Sequence, residues 1–223
     1  MIELINISKK YGNKQVLDKV DMQICTGTIV GLYGESGEGK STLAKVLCGV
    51  VMPDGGRVEL DGKPLLSDKQ KYDRKLGLGV QMVYQQPYSV LDPSQKIING
   101  LKELIRYHSI VKADEIDSFI DRIAEEMDLD KDIFYHLPHQ ISGGEAQRIA
   151  IAKSLMFEPR LLILDEATSM LDISTQANVL GIIKKQTKKY DGSILIISHD
   201  KQLLDCICNS VFELHNGKIT QRK

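Results

Sequence analysis

The continuous apolar run Thr28-Ile29-Val30-Gly31-Leu32-Tyr33 passes directly into Gly34-Glu35-Ser36-Gly37-Glu38-Gly39-Lys40-Ser41, and a helical pattern follows from Ser41 to Val50 with Leu43, Val46 and Leu47 on one face. No other feature of the chain constrains its fold as tightly. A buried strand that turns through glycines into a helix is the opening unit of a parallel α/β sheet. The helix N-terminus so formed presents backbone N–H groups and about half a positive charge to an anion. The spacing Gly34-x-x-x-x-Gly39-Lys40-Ser41, in that strand-to-helix context, reads as a phosphate loop for a nucleoside triphosphate. Its glycines let N–H groups curl around the β-phosphate. Lys40 supplies a mobile ammonium for the β/γ oxygens, Ser41 offers a hydroxyl to Mg²⁺, which takes oxygen ligands, and Thr42 closes the nucleotide-binding run.

The remaining pattern extends this unit. Residues 2–32 alternate apolar and polar, as in Ile2, Leu4, Ile7 and Val20, Met22, Ile24, with Gly12-Asn13-Lys14 as a turn. Gly49 and Pro53-Asp54-Gly55-Gly56 stop the first helix. A hairpin is expected over Arg57–Leu60 and Lys63–Leu66, turning at Asp61-Gly62. Gln81–Gln85 is strand-like and ends before Pro87. From Ile97 to about Leu137 the spacing of Ile116, Phe119, Ile120, Ile123 and Met127 is helical, so a helical segment is inserted into an α/β core. A helix over Glu145–Phe157, a strand over Leu161–Leu164, a helix over Thr175–Tyr190, a strand over Ser193–Ile197 and a helix over Lys201–Cys208 complete the alternation.

At 223 residues the chain can bury roughly 70% of its unfolded surface, which suits one domain with subdomains. Its 29 Lys and Arg balance 30 Asp and Glu, so there is no basic stripe for nucleic acid, and Lys184-Lys185 with Lys188-Lys189 reads as a solvated helix face. The start, Met1–Asn6, lacks the apolar region of a signal peptide. No run approaches the ~20 apolar residues that span a bilayer. Cys25, Cys48, Cys206 and Cys208 form no metal-binding pair and suit a reducing cytosol.

Two further motifs carry chemistry. Leu161-Leu162-Ile163-Leu164-Asp165-Glu166 puts two carboxylates at the C-terminal end of a buried strand, the edge of an α/β sheet where ligands bind. Asp165 suits the Mg²⁺ side of the site and Glu166 can polarise an attacking water. The magnesium ion and Lys40 are expected to keep both ionised at neutral pH. Ile141-Ser142-Gly143-Gly144-Glu145, ahead of a helix, offers a second set of backbone donors and hence a second anion site. One phosphate loop with one extra anion site suggests half of a shared ATP site.

The order of phosphate loop, Gln85, Ser142-Gly143-Gly144, Asp165-Glu166, Ser169-Met170-Leu171-Asp172 and His199 resembles an ATP-binding cassette nucleotide-binding domain along nearly the whole chain. The resemblance implies a P-loop NTPase (RecA-like) α/β core with an N-terminal antiparallel β subdomain and an inserted α-helical subdomain. In residue ranges, 1–87 and 153–223 form the core with its β subdomain, and 88–152 the helical subdomain including the signature. It implies that Tyr11 stacks on adenine beside Val16, and that Gln85 reaches Mg²⁺ or the water while its loop senses membrane subunits. His199 is then the switch histidine that contacts the γ-phosphate and holds Glu166 and water in line. Ser142, Gly143, Gly144 and Glu145 cover the nucleotide of a partner subunit, and Asp172 lies at the dimer interface. Glu145 stands where many members have Gln, and Met170 where Ala is common.

Tyr84-Gln85-Gln86-Pro87-Tyr88-Ser89-Val90-Leu91-Asp92-Pro93 and Leu137-Pro138-His139-Gln140 are similar to the ATPase subunits of oligopeptide, dipeptide and nickel importers. That similarity implies an ATP-hydrolysing subunit on the cytoplasmic face of a membrane, with separate permease subunits and an extracytoplasmic solute-binding protein. The chain ends soon after His199, which favours a non-identical cassette as partner over a homodimer. Peptide, nickel and metal-chelate cargo stay open. The alternatives are an exporter or lipoprotein-release ATPase and a soluble mechanical ATPase.

Overall fold

Alternating side chains over the first 24 residues produce a long hairpin, β1 (Ile2–Tyr11) and β2 (Lys14–Ile24), in a computed structural model that describes residues 1–65, 72–167 and 173–223. The Gly12-Asn13 turn joins them. The expected second hairpin is present as β4 (Gly55–Leu60) and β5 (Lys63–Pro64); its predicted last residue, Leu66, lies outside the described residues. These four strands form one antiparallel sheet in the order β2-β1-β4-β5. Register shifts interrupt β1 between Leu4 and Ile7, where Asn6 takes a φ of 53° and its N–H donates to Asp21 Oδ1 at 2.8 Å.

The second sheet is built around β3 (Ile29–Tyr33) and has the order β10-β9-β3-β8-β7-β6. Its members are β6 (Val80–Val83), β7 (Leu161–Asp165), β8 (Ser193–Ile197), β9 (Ser210–His215) and β10 (Lys218–Gln221). β3 runs parallel to both β8 and β9, and β7 parallel to β8, while β10 returns antiparallel to β9. The continuous apolar runs Leu161–Leu164 and Ile194–Ile197 are buried along their length, as strands covered on both faces must be.

The helices are α1 (Lys40–Leu47), α2 (Arg74–Gly77), α3 (Ile97–His108), α4 (Ile116–Glu126), α5 (Gly143–Leu155), α6 (Ile173–Thr187) and α7 (Lys201–Ile207). α1 meets β7, and α7 meets β3 and β9. The predicted insertion contains α3 and α4, which bury Leu101 and Ile105 on one and Ile120 and Ile123 on the other. Ser109, with φ 51°, ends α3 in the left-handed conformation.

The chain divides into two compact units, one of residues 1–82, 158–166 and 187–223, the other of 83–157 and 167–186. The second unit thus begins at 83 and takes in α6, whereas the sequence places the helical subdomain at 88–152. In the first unit, one apolar core joins Ile7, Leu17 and Val58 of one sheet to Leu32, Ile163, Leu195 and Leu214 of the other and to Leu43 and Leu47 of α1. Leu195 is fully buried on β8, in register with Val30 and Ile163. Leu195→Ala is expected to cost about 2–5 kcal/mol through lost contacts and a residual cavity. A lower urea midpoint at unchanged denaturant slope would show it.

Candidate functional site

Register decides where the functional loops emerge. Leu32 of β3 pairs with Ile197 of β8, and Ile197 pairs with Asp165 of β7. Three parallel strands therefore end together, and the phosphate loop, Glu166 and Ser198-His199 all leave from the same edge of the sheet. That edge is where ligands bind in open α/β sheets.

The loop itself is shaped by close approaches. Gly39 has φ 105°, and a Cβ there would lie 2.7 Å from Val16 Cγ1; a Cβ on Gly34 would lie 2.6 Å from the Leu214 carbonyl. Side chains are excluded at both positions, which leaves the backbone to line the loop. Gly39 is also the residue from which α1 starts, so the helix N-terminus faces the loop. Lys40 is buried, and its ammonium donates to the carbonyls of Gly34 and Glu35, each at 2.8 Å. Val16 stands against the loop through Gly39. Tyr11, at the end of β1, is half exposed with Lys9 Nζ 5.6 Å from its ring centroid.

Asp165 closes the site from the strand side. The Ser41 hydroxyl bonds its carboxyl, but burial holds that carboxyl above its usual range, with the Glu166 charge adding to the rise and Lys40 and Lys45 opposing it. Lys40, which the sequence singles out, lowers it, but desolvation is the larger effect. Glu166 follows with φ 48°, its N–H donating to Ile197 O at 3.1 Å. That left-handed turn, uncommon for a non-glycine residue, marks a constrained site. His199 Nδ1 lies 3.6 Å from Glu166 Oε1, with the imidazole largely exposed. Its neighbours fix the backbone: Ser198 Oγ accepts the Asp200 N–H, and Asp200 caps α7.

Gly34–Ser41, Val16, Asp165, Glu166 and His199 are thus all in the first unit. Gln85 and Ser142–Glu145 belong to the second. Gln85 is exposed just beyond β6. Asp172, with Ser169, Met170 and Leu171, lies outside the described residues.

Chemically, the first-unit cluster offers backbone donors and an ammonium for a polyphosphate, an oxygen pair for a hard cation, and a carboxylate–imidazole pair for a water molecule. A sequence pattern common to known proteins takes in most of this cluster: the ABC transporter family matches residues 17–169, which include Gly34–Ser41, Asp165 and Glu166.

The chain belongs to the ABC transporter family.

This ABC ATPase is 35% identical, over 214 residues, to the nickel import ATP-binding protein NikE of Shigella dysenteriae, a match covering 96% of this chain and 80% of that protein. Identity to NikE of Escherichia coli K12 is 34% over 212 residues, covering 95% and 79%. Among solved structures, the ATP-binding cassette MJ0796, a dimer in a post-hydrolysis state with ADP and Pi, has a TM-score of 0.84 at 25% identity and covers 100% of this chain and 98% of its own. The cbiO1 protein of Clostridium perfringens, part of the ABC transporter complex cbiONQ, has a TM-score of 0.82 at 25% identity and covers 98% and 86%. The ABC cassette described here is accordingly an ATP-binding, ATP-hydrolysing α/β protein. No helix among its described residues is long and apolar enough to cross a membrane.

In the ABC ATPase, Ser142–Glu145 form a capped helix start. Ser142 Oγ accepts the Glu145 N–H at 3.3 Å, while Glu145 Oε2 accepts from the Ser142 N–H and from its hydroxyl, both at 2.7 Å. This reciprocal box satisfies donors at the N-terminus of α5. Glu145, the departure from Gln noted in the sequence, is therefore part of the cap. These hydrogen bonds from Ser142 hold its carboxyl below the usual 4.5.

A carboxyl with a lowered folded-state pKa stabilises above its unfolded value, and that contribution fades as pH falls through the folded value. Glu145→Ala, which removes the N3 half of the box, is expected to cost about 0.3–1.5 kcal/mol. The gap in thermal midpoint between wild type and Glu145→Ala should narrow on acidification below the usual carboxylate range.

Support for this segment comes from residues that sequence spacing does not reveal. Tyr88 donates to Ile141 O at 3.0 Å, and Lys153 on α5 donates to Val90 O at 2.5 Å. Burial pushes the Lys153 ammonium below its usual range. The short 3-10 turn at Pro87–Val90, soon after Gln85, is thereby fastened to α5 and to Ile141, the residue before its N-cap. The two contacts join positions 53 and 63 residues apart, which no local pattern encodes.

Proposed function

We propose that this chain is the ATP-hydrolysing subunit of an importer, seated on the cytoplasmic face of a membrane against separate permease subunits, with nickel as the favoured cargo and a peptide or metal chelate as the others. The observation that carries the importer reading is the 35% identity to a nickel import ATP-binding protein along 96% of this chain. The Tyr84–Pro93 loop supports the same group.

In this proposal the phosphate loop and Lys40 hold the β/γ-phosphates. Asp165 and Ser41 fit a magnesium ion, because a buried carboxylate bonded by one hydroxyl is an oxygen pair whose desolvation a hard cation offsets. Magnesium, when bound, neutralises charge on the phosphate oxygens. Glu166 takes a proton from the attacking water, and His199, 3.6 Å away, orients that carboxylate and the γ-phosphate. Tyr11 stacks on adenine beside Val16, and Gln85 answers to the permease subunits.

Ser142, Gly143 and Gly144 receive the γ-phosphate held by a second cassette, non-identical or a copy of this chain, with Asp172 at that interface. The Ser142 hydroxyl, which donates to Glu145 in the structure, exchanges that acceptor for a phosphate oxygen. ATP thus joins two cassettes, and its hydrolysis releases them. An extracytoplasmic solute-binding protein delivers the cargo.

Affinity purification of the tagged chain from detergent-extracted membranes tests the assignment. Polytopic permease subunits and a second cassette are the expected companions. Ribosomes or DNA in their place would move the chain to a soluble mechanical role.

A further inference from the structure

Glu38 puts a carboxylate inside a loop that receives a polyanion, between Gly37 with φ 83° and Gly39 with φ 105°. Left unpaired, that charge would repel a triphosphate. The structure engages both of its oxygens with the turn between β9 and β10. Glu38 Oε2 accepts the Asn216 N–H at 2.6 Å, and Oε1 lies 3.3 Å from His215 Nδ1. The His215 Nε2 is in turn 2.8 Å from Asn216 Nδ2. The Asn216 amide can donate to Nε2, and the Nδ1 edge of the imidazole faces the Glu38 carboxylate. The Glu38 side chain is only 17% exposed, although it belongs to a surface loop.

The turn is itself anchored. Asn216 and Gly217 have φ values of 49° and 74°, the pair of left-handed residues that a tight two-residue hairpin needs. Gly217 O accepts the Asp18 N–H at 2.8 Å, and a Cβ on Gly217 would lie 3.1 Å from Val16 O. The hairpin turn, the start of β2 and the phosphate loop therefore meet around Val16. A loop flanked by two left-handed glycines has high conformational entropy when untethered, and Glu38 is the side chain that ties it to this frame.

We infer that Glu38 is a positioning residue for nucleotide binding: its carboxylate clasps the phosphate loop to the β9–β10 turn and holds the loop in the shape that receives the triphosphate. The clasp rests on ATP binding at this loop, so Lys40→Ala serves as the control for that reading. Two substitutions separate reach from charge. Glu38→Gln keeps the length and an acceptor for the Asn216 N–H but loses the charge. Glu38→Asp keeps the charge but is one methylene too short for the contact.

Calorimetric titration of the purified full chain with ATP is the test. Glu38→Gln is expected to bind within about twofold of wild type and Glu38→Asp about tenfold more weakly, the upper scale of one ordinary hydrogen bond. If Glu38→Asp binds like wild type, or Glu38→Gln binds as weakly as Glu38→Asp, the clasp is wrong. If Lys40→Ala leaves ATP binding unchanged, the site reading itself fails, whatever Glu38 does.

Discussion

Glu166→Gln is expected to keep ATP bound and to slow its hydrolysis by roughly 10²–10⁴-fold, the scale of lost general-base assistance. The amide is nearly isosteric, so the left-handed backbone at 166 and its N–H bond to Ile197 O have no reason to change. What disappears is the carboxylate that faces His199 across 3.6 Å. Removing one negative charge beside the triphosphate also reduces repulsion, so ATP affinity should stay equal or rise. Single-turnover phosphate release, measured beside equilibrium binding, separates the two effects. Turnover near that of wild type would take Glu166 out of the role of base.

Lys40→Ala should produce the opposite pattern, with ATP affinity falling by about 10–100-fold, the equivalent of one or two hydrogen bonds from a charged donor. An ammonium has three donors, and two of them hold the Gly34 and Glu35 carbonyls. Lys40 therefore both shapes the loop and charges it. Alanine loses the contact to phosphate and also leaves two loop carbonyls without their donor. Both variants hydrolyse little ATP, but one fails at binding and the other after it. Equilibrium titration with a fluorescent ATP analogue distinguishes them. Unchanged affinity in Lys40→Ala would mean that nucleotide binds elsewhere.

The parts of this site that sequence reveals are those whose chemistry is local. A strand, a glycine loop and Lys40-Ser41 are contiguous, and Asp165-Glu166 and His199 each follow an apolar run that can only be a strand end. Their convergence at one sheet edge follows from parallel pairing of β3, β8 and β7. The β9–β10 hairpin is absent from the sequence-based expectations. Its strands are short, β10 has no buried residue, and Asn216-Gly217 was the only strong sign of it. With the hairpin unseen, the Glu38–His215 contact, spanning 177 positions, could not be foreseen either. The segment after Gln81 shows a smaller effect of the same kind. The strand expected over Gln81–Gln85 is instead Val80–Val83, because Pro87 opens a 3-10 turn and the residues before it have already left the sheet.

ATP-driven uptake tests the central claim most directly. The chain would be reconstituted into liposomes with its co-purified permease subunits, second cassette and solute-binding protein. Radiolabelled nickel and a labelled dipeptide would then be offered side by side. The account predicts nickel accumulation that requires ATP on the cassette side and is abolished by Glu166→Gln. Dipeptide uptake with the same ATP and Glu166 dependence would keep the importer and change its cargo. Uptake that persists in Glu166→Gln, or movement of solute only outward, would contradict the account.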